Sequence, residues 1–148
     1  MDHLSPNPPV LVSFKQIYIQ NISPKLQAID LFLKTTEGHY PVSDMAVVLG
    51  MSTDEISKIM KEVGIASIQL IDFFTIVFHS SSYICRLIKR QWKYASAPFY
   101  TPYMISYIYE LNIDKVQSAF EQLKQEYIRE QDLMDIFSLI HTPIYQLG

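Results

Sequence analysis

The chain is poor in cysteine, glycine and charge, and each shortage narrows the possible folds. Of its 148 residues, one is cysteine, four are glycine and 18% are charged. The single cysteine, Cys85, excludes an internal disulfide and a metal cage built from the cysteines of one chain. It lies among apolar neighbours, so we expect a thiol at the edge of a core. The lack of disulfides fits an intracellular protein, and the scarcity of glycine disfavours a turn-rich β sandwich.

A long hydrophobic run is also missing. The most apolar stretch, Ile68–Phe78, has eleven residues and contains Asp72, whereas a membrane span needs about twenty apolar residues. The N-terminus shows no basic region followed by a long apolar run, so we expect no signal peptide. These absences predict a cytoplasmic protein with no membrane partner.

Motifs for catalysis and for metal binding are lacking as well. The four histidines have no metal-ligand spacing and are His3, His39, His79 and His141. No glycine-rich phosphate loop occurs, and Cys85 has no local partner pattern of a nucleophile. We therefore expect no enzyme activity, no metal and no cofactor.

The apolar content predicts a packed helical domain. Hydrophobic residues make up 49% of the chain, and their spacing at three and four residues is typical of amphipathic helices. Ser23-Pro24 is a favourable helix start, with Ser23 as the cap. Residues 10–22 fit either a short helix or an extended segment. The remaining predicted helices are Lys25–Thr35, Val42–Leu49, a helix ending near Gly64, Ser67–Phe78 and Tyr83–Tyr94.

The segment Val42–Val63 has the spacing of a helix-turn-helix. Such a motif needs a small residue where its helices cross and a glycine where the turn becomes left-handed. Ala46 and Gly50 supply these, and Ile56 and Ile59 supply the apolar face of the second helix. Short helical hairpins sometimes imitate the pattern.

A degraded copy of this segment follows sixty residues later. The shift aligns Tyr40 with Tyr100, Met45 with Ile105, Ile56 with Val116 and Ile68 with Ile128. Few residues are identical, and chance matching of two helical stretches is the alternative to a duplication. The second copy has Glu110 where glycine is expected, so we predict a strained or altered turn. The predicted fold is all-α, with an N-terminal arm (1–22), a first helix-turn-helix unit (23–80) and a second, divergent unit (81–148).

The first motif resembles the helix-turn-helix DNA-binding regulators of bacteria and their phages. The resemblance lies in Tyr40-Pro41-Val42, Met45-Ala46, Leu49-Gly50-Met51-Ser52, Ile56–Lys61 and Gly64. The tandem arrangement is loosely similar to the AraC-type module, in which two motifs are joined by a helix. The resemblance implies that the second helix of each motif enters the major groove. The chain departs from that family in two ways. The segment between the motifs is longer than the family's linker helix, and the second motif lacks the glycine and the basic residues.

Two groups of residues are candidates for binding DNA. The solvent-facing positions of the first motif can bond phosphates and base edges, and they are Ser52, Thr53, Ser57, Lys58 and Lys61. A basic stripe, defined as Arg86, Lys89, Arg90 and Lys93, repeats along one face of the next amphipathic helix. The basic stripe is either a phosphate clamp or the ordinary solvated face of such a helix.

The chain from Tyr100 onward is acidic. From Tyr100 to the end there are seven acidic and three basic residues, a net charge of 3 − 7 = −4. The phosphate groups of DNA repel a segment with this charge. Two functions therefore stay open. The chain is a small transcription regulator that binds double-stranded DNA, or it is a protein-interaction module, an adaptor or inhibitor on a scaffold that has lost DNA binding. A protein partner would dock on the acidic half, and the apolar C-terminal tail is a candidate homodimer surface.

Overall fold

The computed structural model describes residues 10–143, and within them helices dominate, so the predicted all-α class is confirmed. The α-helices are α1 (Phe14–Ile17), α2 (Ser23–Thr35), α3 (Val42–Leu49), α4 (Thr53–Val63), α5 (Leu70–His79), α6 (Tyr83–Lys93), α7 (Pro102–Tyr109), α8 (Ile113–Gln122) and α9 (Leu133–Ser138). A π-helical segment covers Tyr18–Ile22, a 3-10 turn covers Glu130–Asp132, and two short strands are β1 (Leu11–Ser13) and β2 (His141–Pro143).

The two ends of the described chain lie side by side. Strands β1 and β2 pair antiparallel, with Leu11 opposite Pro143 and Ser13 opposite His141. The Phe14 N–H donates to the carbonyl oxygen of Ile140 at 2.7 Å. Residues 11–22 are thus strand and helix joined to the second unit, and the part of the predicted arm before residue 10 lies outside the described residues.

Helix α2 begins differently from the prediction. The segment Tyr18–Ile22 is already helical and continues directly into α2, so Ser23 has helical backbone angles (φ −55°, ψ −43°). A capping residue has extended angles, and the prediction that Ser23 caps this helix is wrong. Pro24 nevertheless lies in the first turn, where its missing N–H removes no helical hydrogen bond.

One apolar core runs through both units. Helix α3 contacts α4, and α7 contacts α8. The predicted inward positions are fully buried at Met45 and Ile56 in the first unit and at Ile105 and Val116 in the second. These residues belong to a single cluster of buried side chains. Burial of such side chains contributes about 1.5–3 kcal/mol each, so the units stabilise one another.

An equivalent backbone hydrogen bond joins the start and the end of the helical hairpin in each unit. The Tyr40 N–H, just before α3, donates to the carbonyl oxygen of Ile68, just before α5, at 2.8 Å. Sixty residues later the Tyr100 N–H donates to the Ile128 carbonyl oxygen at 2.7 Å. The entry to each helical hairpin is therefore bound to its exit by an equivalent hydrogen bond.

The turns of the two hairpins also have the same backbone path. Gly50 ends α3 with φ 63°, and Glu110 ends α7 with φ 53°, so both are left-handed. At the end of the second helix of each pair, Gly64 has φ 80° and Lys124 has φ 55°. The left-handed region costs a residue with a Cβ roughly 1–2 kcal/mol. The turn of the second unit therefore has the same backbone conformation as the turn of the first, and Glu110 is strained there as predicted.

Candidate nucleic-acid interface

Helix α4 is fixed at both ends by local hydrogen bonds. The Ser52 hydroxyl oxygen accepts from the Glu55 N–H at 3.1 Å, and a Glu55 carboxylate oxygen accepts from the Ser52 N–H at 3.2 Å. This reciprocal capping box starts the helix. Left-handed Gly64 ends it. The predicted site residue Ser52 is thus part of the cap.

The outer face of α4 presents hydroxyl and ammonium groups to solvent. Thr53, Ser57, Lys58 and Lys61 are all exposed. Among residues 10–143, neither lysine has an ion-pair partner. Ile56 and Ile59 on the opposite face are buried, which orients the polar face outward. These side chains form the candidate interface.

Lys89, one member of the basic stripe, contacts main-chain carbonyl groups of a neighbouring helix. Its ammonium group donates to the carbonyl oxygen of Phe78 at 3.1 Å and to that of Ser80 at 2.9 Å. These carbonyls lie at the end of α5, where cations are favoured by the helix dipole. Lys89 therefore joins α6 to the C-terminus of α5.

Arg90 joins α6 to the hairpin of the second unit. Its Nε donates to the Ile108 carbonyl oxygen at 2.7 Å, and its Nη2 lies 2.8 Å from a carboxylate oxygen of Glu110. The Arg90 side chain is only 14% exposed. At the Nη2 the contact is an ion pair without hydrogen-bond geometry. The left-handed Glu110 is thus held by Arg90, a contact that sequence reasoning missed.

The other two members of the basic stripe remain accessible. Arg86 is 45% exposed, and its Nη1 is 3.7 Å from Glu110, too long for a hydrogen bond. The Lys93 ammonium lies 4.7 Å from the centroid of the Tyr107 ring, a cation–π distance. Of the nine predicted DNA-binding residues, the structure places Lys89 and Arg90 in contacts between helices and four others on the exposed face of α4.

Helix α8 in the second unit corresponds to α4 in the first, and its exposed face is acidic. Asp114, Gln117, Ser118 and Glu121 are exposed. The one lysine of this helix, Lys115, donates to the His141 carbonyl oxygen at 2.7 Å. The surface of the second unit that corresponds to the candidate interface therefore carries negative charge.

Comparison with models of known protein families, with curated proteins and with solved structures finds no match. Within residues 10–143 no group of three or more histidine, cysteine or acidic side chains is placed to hold a metal ion. No helix in that range is long and apolar enough to cross a membrane. A functional assignment therefore rests on the geometry and charge of the exposed faces.

Tyr109 gives the chain a pH dependence that can be measured. Burial raises the pKa of Tyr109 above the ordinary value of 10.0. A raised folded-state pKa gives stability that is complete below about pH 10 and is lost as the pH rises further, because the unfolded chain releases the proton more readily. We expect the melting temperature to fall less steeply between about pH 9 and pH 11 in Tyr109→Phe than in the unchanged chain.

At pH 7 the same variant should melt within a few degrees of the unchanged chain, because the Gln91 amide that donates to the Tyr109 hydroxyl is 3.5 Å away. The matched control is Tyr103→Phe, since that ring is 65% exposed. Equal alkaline slopes for Tyr109→Phe and Tyr103→Phe would contradict the assignment.

Proposed function

We propose that this chain is a small transcription regulator that binds double-stranded DNA through helix α4. The observation that supports it is the exposed α4 face, where Lys58 and Lys61 have no ion-pair partner within residues 10–143. Ser57 and Thr53 on the same face are short hydroxyl side chains, which bond phosphates or base edges. In a helix-turn-helix the second helix is the one that enters the major groove.

The distribution of charge limits where DNA can be contacted. The chain has a net charge of −3 and residues 100–148 have −4, so residues 1–99 carry −3 − (−4) = +1. The first unit (23–80) itself has four basic and seven acidic residues, a net charge of 4 − 7 = −3, and the basic stripe supplies the remaining positive charge. Phosphate is therefore attracted only to local groups of cations. Asp54 and Glu55, in the first turn of α4, disfavour close approach of phosphate at that end of the helix. Contacts are therefore expected mainly through Lys58 and Lys61.

The decisive experiment is a titration of a fluorescent random-sequence duplex at several salt concentrations. The double variant Lys58→Ala/Lys61→Ala should bind at least about tenfold more weakly at 0.1 M salt. The slope of log affinity against log salt should shrink by about two, since each lost phosphate contact removes about one unit. Both lysines are exposed, so the variant should remain folded.

The matched control is Lys15→Ala/Lys34→Ala. It removes the same charge from exposed positions in α1 and α2. Within residues 10–143 Lys34 forms an ion pair with Asp30 alone, and this exposed pair contributes little stability. The control should bind as the unchanged chain does. Absence of binding at low salt, or equal losses in both variants, would overturn the proposal.

A second candidate function, binding of a protein partner, is favoured by the second unit. Its α8 face is acidic, and exposed aromatic rings lie nearby in the chain. The rings of Phe99 and Tyr127 contact each other with their centroids 4.5 Å apart and their planes tilted by 35°, and Tyr103 is 65% exposed. Aromatic side chains are enriched in protein interfaces. A chain that binds a lysine-rich peptide but no duplex at low salt would have this function instead.

An internal duplication accounts for the likeness of the two units, and we propose it as their origin. Two observations support it. Equivalent backbone hydrogen bonds join Tyr40 to Ile68 and Tyr100 to Ile128, and both hairpins have left-handed turns, at Gly50 and at Glu110. On this proposal the outer faces of α4 and α8 diverged, since Lys58 and Lys61 correspond to Ser118 and Glu121.

A further inference from the structure

A cleft of about 340 Å³ lies between α1, the first half of α6 and the turn that joins α7 to α8. This volume falls within the range of about 300–1,000 Å³ typical of small-molecule sites. The cleft is distant in sequence from the α4 face, and none of the predicted DNA-binding residues except Arg86 lines it.

The cleft contains one positive and one negative side chain. Arg86 and Glu110 both line it, and they are 45% and 49% exposed. Their closest atoms are 3.7 Å apart, so the Arg86 guanidinium keeps its N–H donors available. Glu110 is held by Arg90 through one carboxylate oxygen at 2.8 Å, and a carboxylate has about four acceptor positions. Each charge can therefore take a further partner.

The rest of the lining is suited to an apolar group and to one further polar contact. Phe14, Ile17 and Leu111 line the cleft, and each is at most 9% exposed. Tyr83 also lines the cleft. Partial burial raises the pKa of its hydroxyl, which stays protonated at neutral pH and can donate a hydrogen bond.

We infer that this cleft binds a free α-amino acid with an apolar side chain. The carboxylate of the ligand contacts Arg86, since guanidinium groups match carboxylates with paired N–H donors. Its ammonium group contacts Glu110, and its side chain lies on Phe14, Ile17 and Leu111. A ligand with one charge would contact only Arg86 or only Glu110 and would lose the other charged contact. This inference does not depend on DNA binding.

The experiment is ligand-observed NMR and calorimetry on the full chain without DNA, with L-leucine and L-phenylalanine as probes. We expect saturable binding by at least one of them in the micromolar to millimolar range. Two analogues of leucine each lack one charge, 4-methylpentanoate without the ammonium and 3-methylbutylamine without the carboxylate. Each should bind at least about tenfold more weakly, and glycine, without the apolar group, should not bind detectably.

A pair of variants on α6 locates the site. Arg86→Gln should weaken leucine or phenylalanine binding at least about tenfold. Lys93→Gln, which removes the same charge from the same helix outside the cleft, should leave it unchanged. No saturable binding at 10 mM probe, equal binding by a singly charged analogue, or equal affinities of the two variants would each overturn the inference. The analogue series uses the unchanged chain, so it decides even if Arg86→Gln folds poorly.

Discussion

Replacing Phe137 with alanine is expected to lower the free energy of unfolding by about 3–5 kcal/mol, the range for a fully buried phenylalanine. Phe137 is 0% exposed and lies where the two ends of the described chain meet the second unit. Its ring centroid is 4.8 Å from that of Phe14 and 4.9 Å from that of Tyr109, both edge-on, and 5.3 Å from that of Tyr18. A smaller side chain leaves a cavity and removes all three ring contacts.

Urea unfolding followed by circular dichroism measures this effect. A domain of this size has only about 5–15 kcal/mol of stability, so Phe137→Ala is close to the limit of folding. Phe137→Leu keeps most of the volume and should cost under about 1.5 kcal/mol, which gives a measurable value if the alanine variant does not fold.

The control is Phe78→Ala, because that ring is 63% exposed and its removal should cost under about 1 kcal/mol. Similar losses in Phe78→Ala and Phe137→Ala would show that the aromatic cluster around residue 137 is not the junction that the structure describes.

Replacing Arg90 with alanine is the second large effect, a loss of about 2–3 kcal/mol. The variant removes the hydrogen bond to the Ile108 carbonyl oxygen at 2.7 Å and the ion pair with Glu110 at 2.8 Å. A hydrogen bond that involves a charged group contributes about 1.5–3 kcal/mol. The ion pair adds little, because Glu110 is half exposed and solvent screens it. The left-handed backbone of Glu110 also loses the contact that holds it.

Arg86→Ala is the matched control, since it removes the same side chain one helical turn earlier from the same acidic partner. Arg86 lies 3.7 Å from Glu110 and is 45% exposed, so its loss should cost under about 0.5 kcal/mol in the absence of ligand. The two variants are compared by urea unfolding. Equal stabilities would mean that Arg90 belongs to a solvated face, the other interpretation of the basic stripe.

The helical hairpins are the part of the fold that was predictable. The spacing of Ala46, Gly50 and Ile56 predicts where the two helices cross, where the turn becomes left-handed and which face of the second helix is buried. The structure has helices at Val42–Leu49 and Thr53–Val63. These features depend on residues within about twenty positions of each other. Local conformation and the period of an amphipathic helix determine them.

The contacts of the basic stripe were not predictable. Helical periodicity indicates that Lys89 and Arg90 lie away from the buried face of α6, and the prediction placed them toward solvent or phosphate. In the fold they meet the end of α5 and the turn after α7. The carbonyl groups that receive them are main-chain atoms, which leave no trace in the sequence. Only Glu110, the acidic residue at an expected glycine position, could have indicated a cationic partner.

The sequence by itself determined the all-α class, the hairpin at Val42–Val63 and the acidic character of residues 100–148, because these follow from local spacing and composition. Tertiary structure decided the rest. It paired β1 with β2, moved Lys89 and Arg90 into contacts between helices, and left Lys58 and Lys61 as the exposed cations of α4. It also assembled the cleft from α1, α6 and the α7–α8 turn. Residues far apart in the chain meet only when the helices pack, and periodicity carries no information about which helices those are.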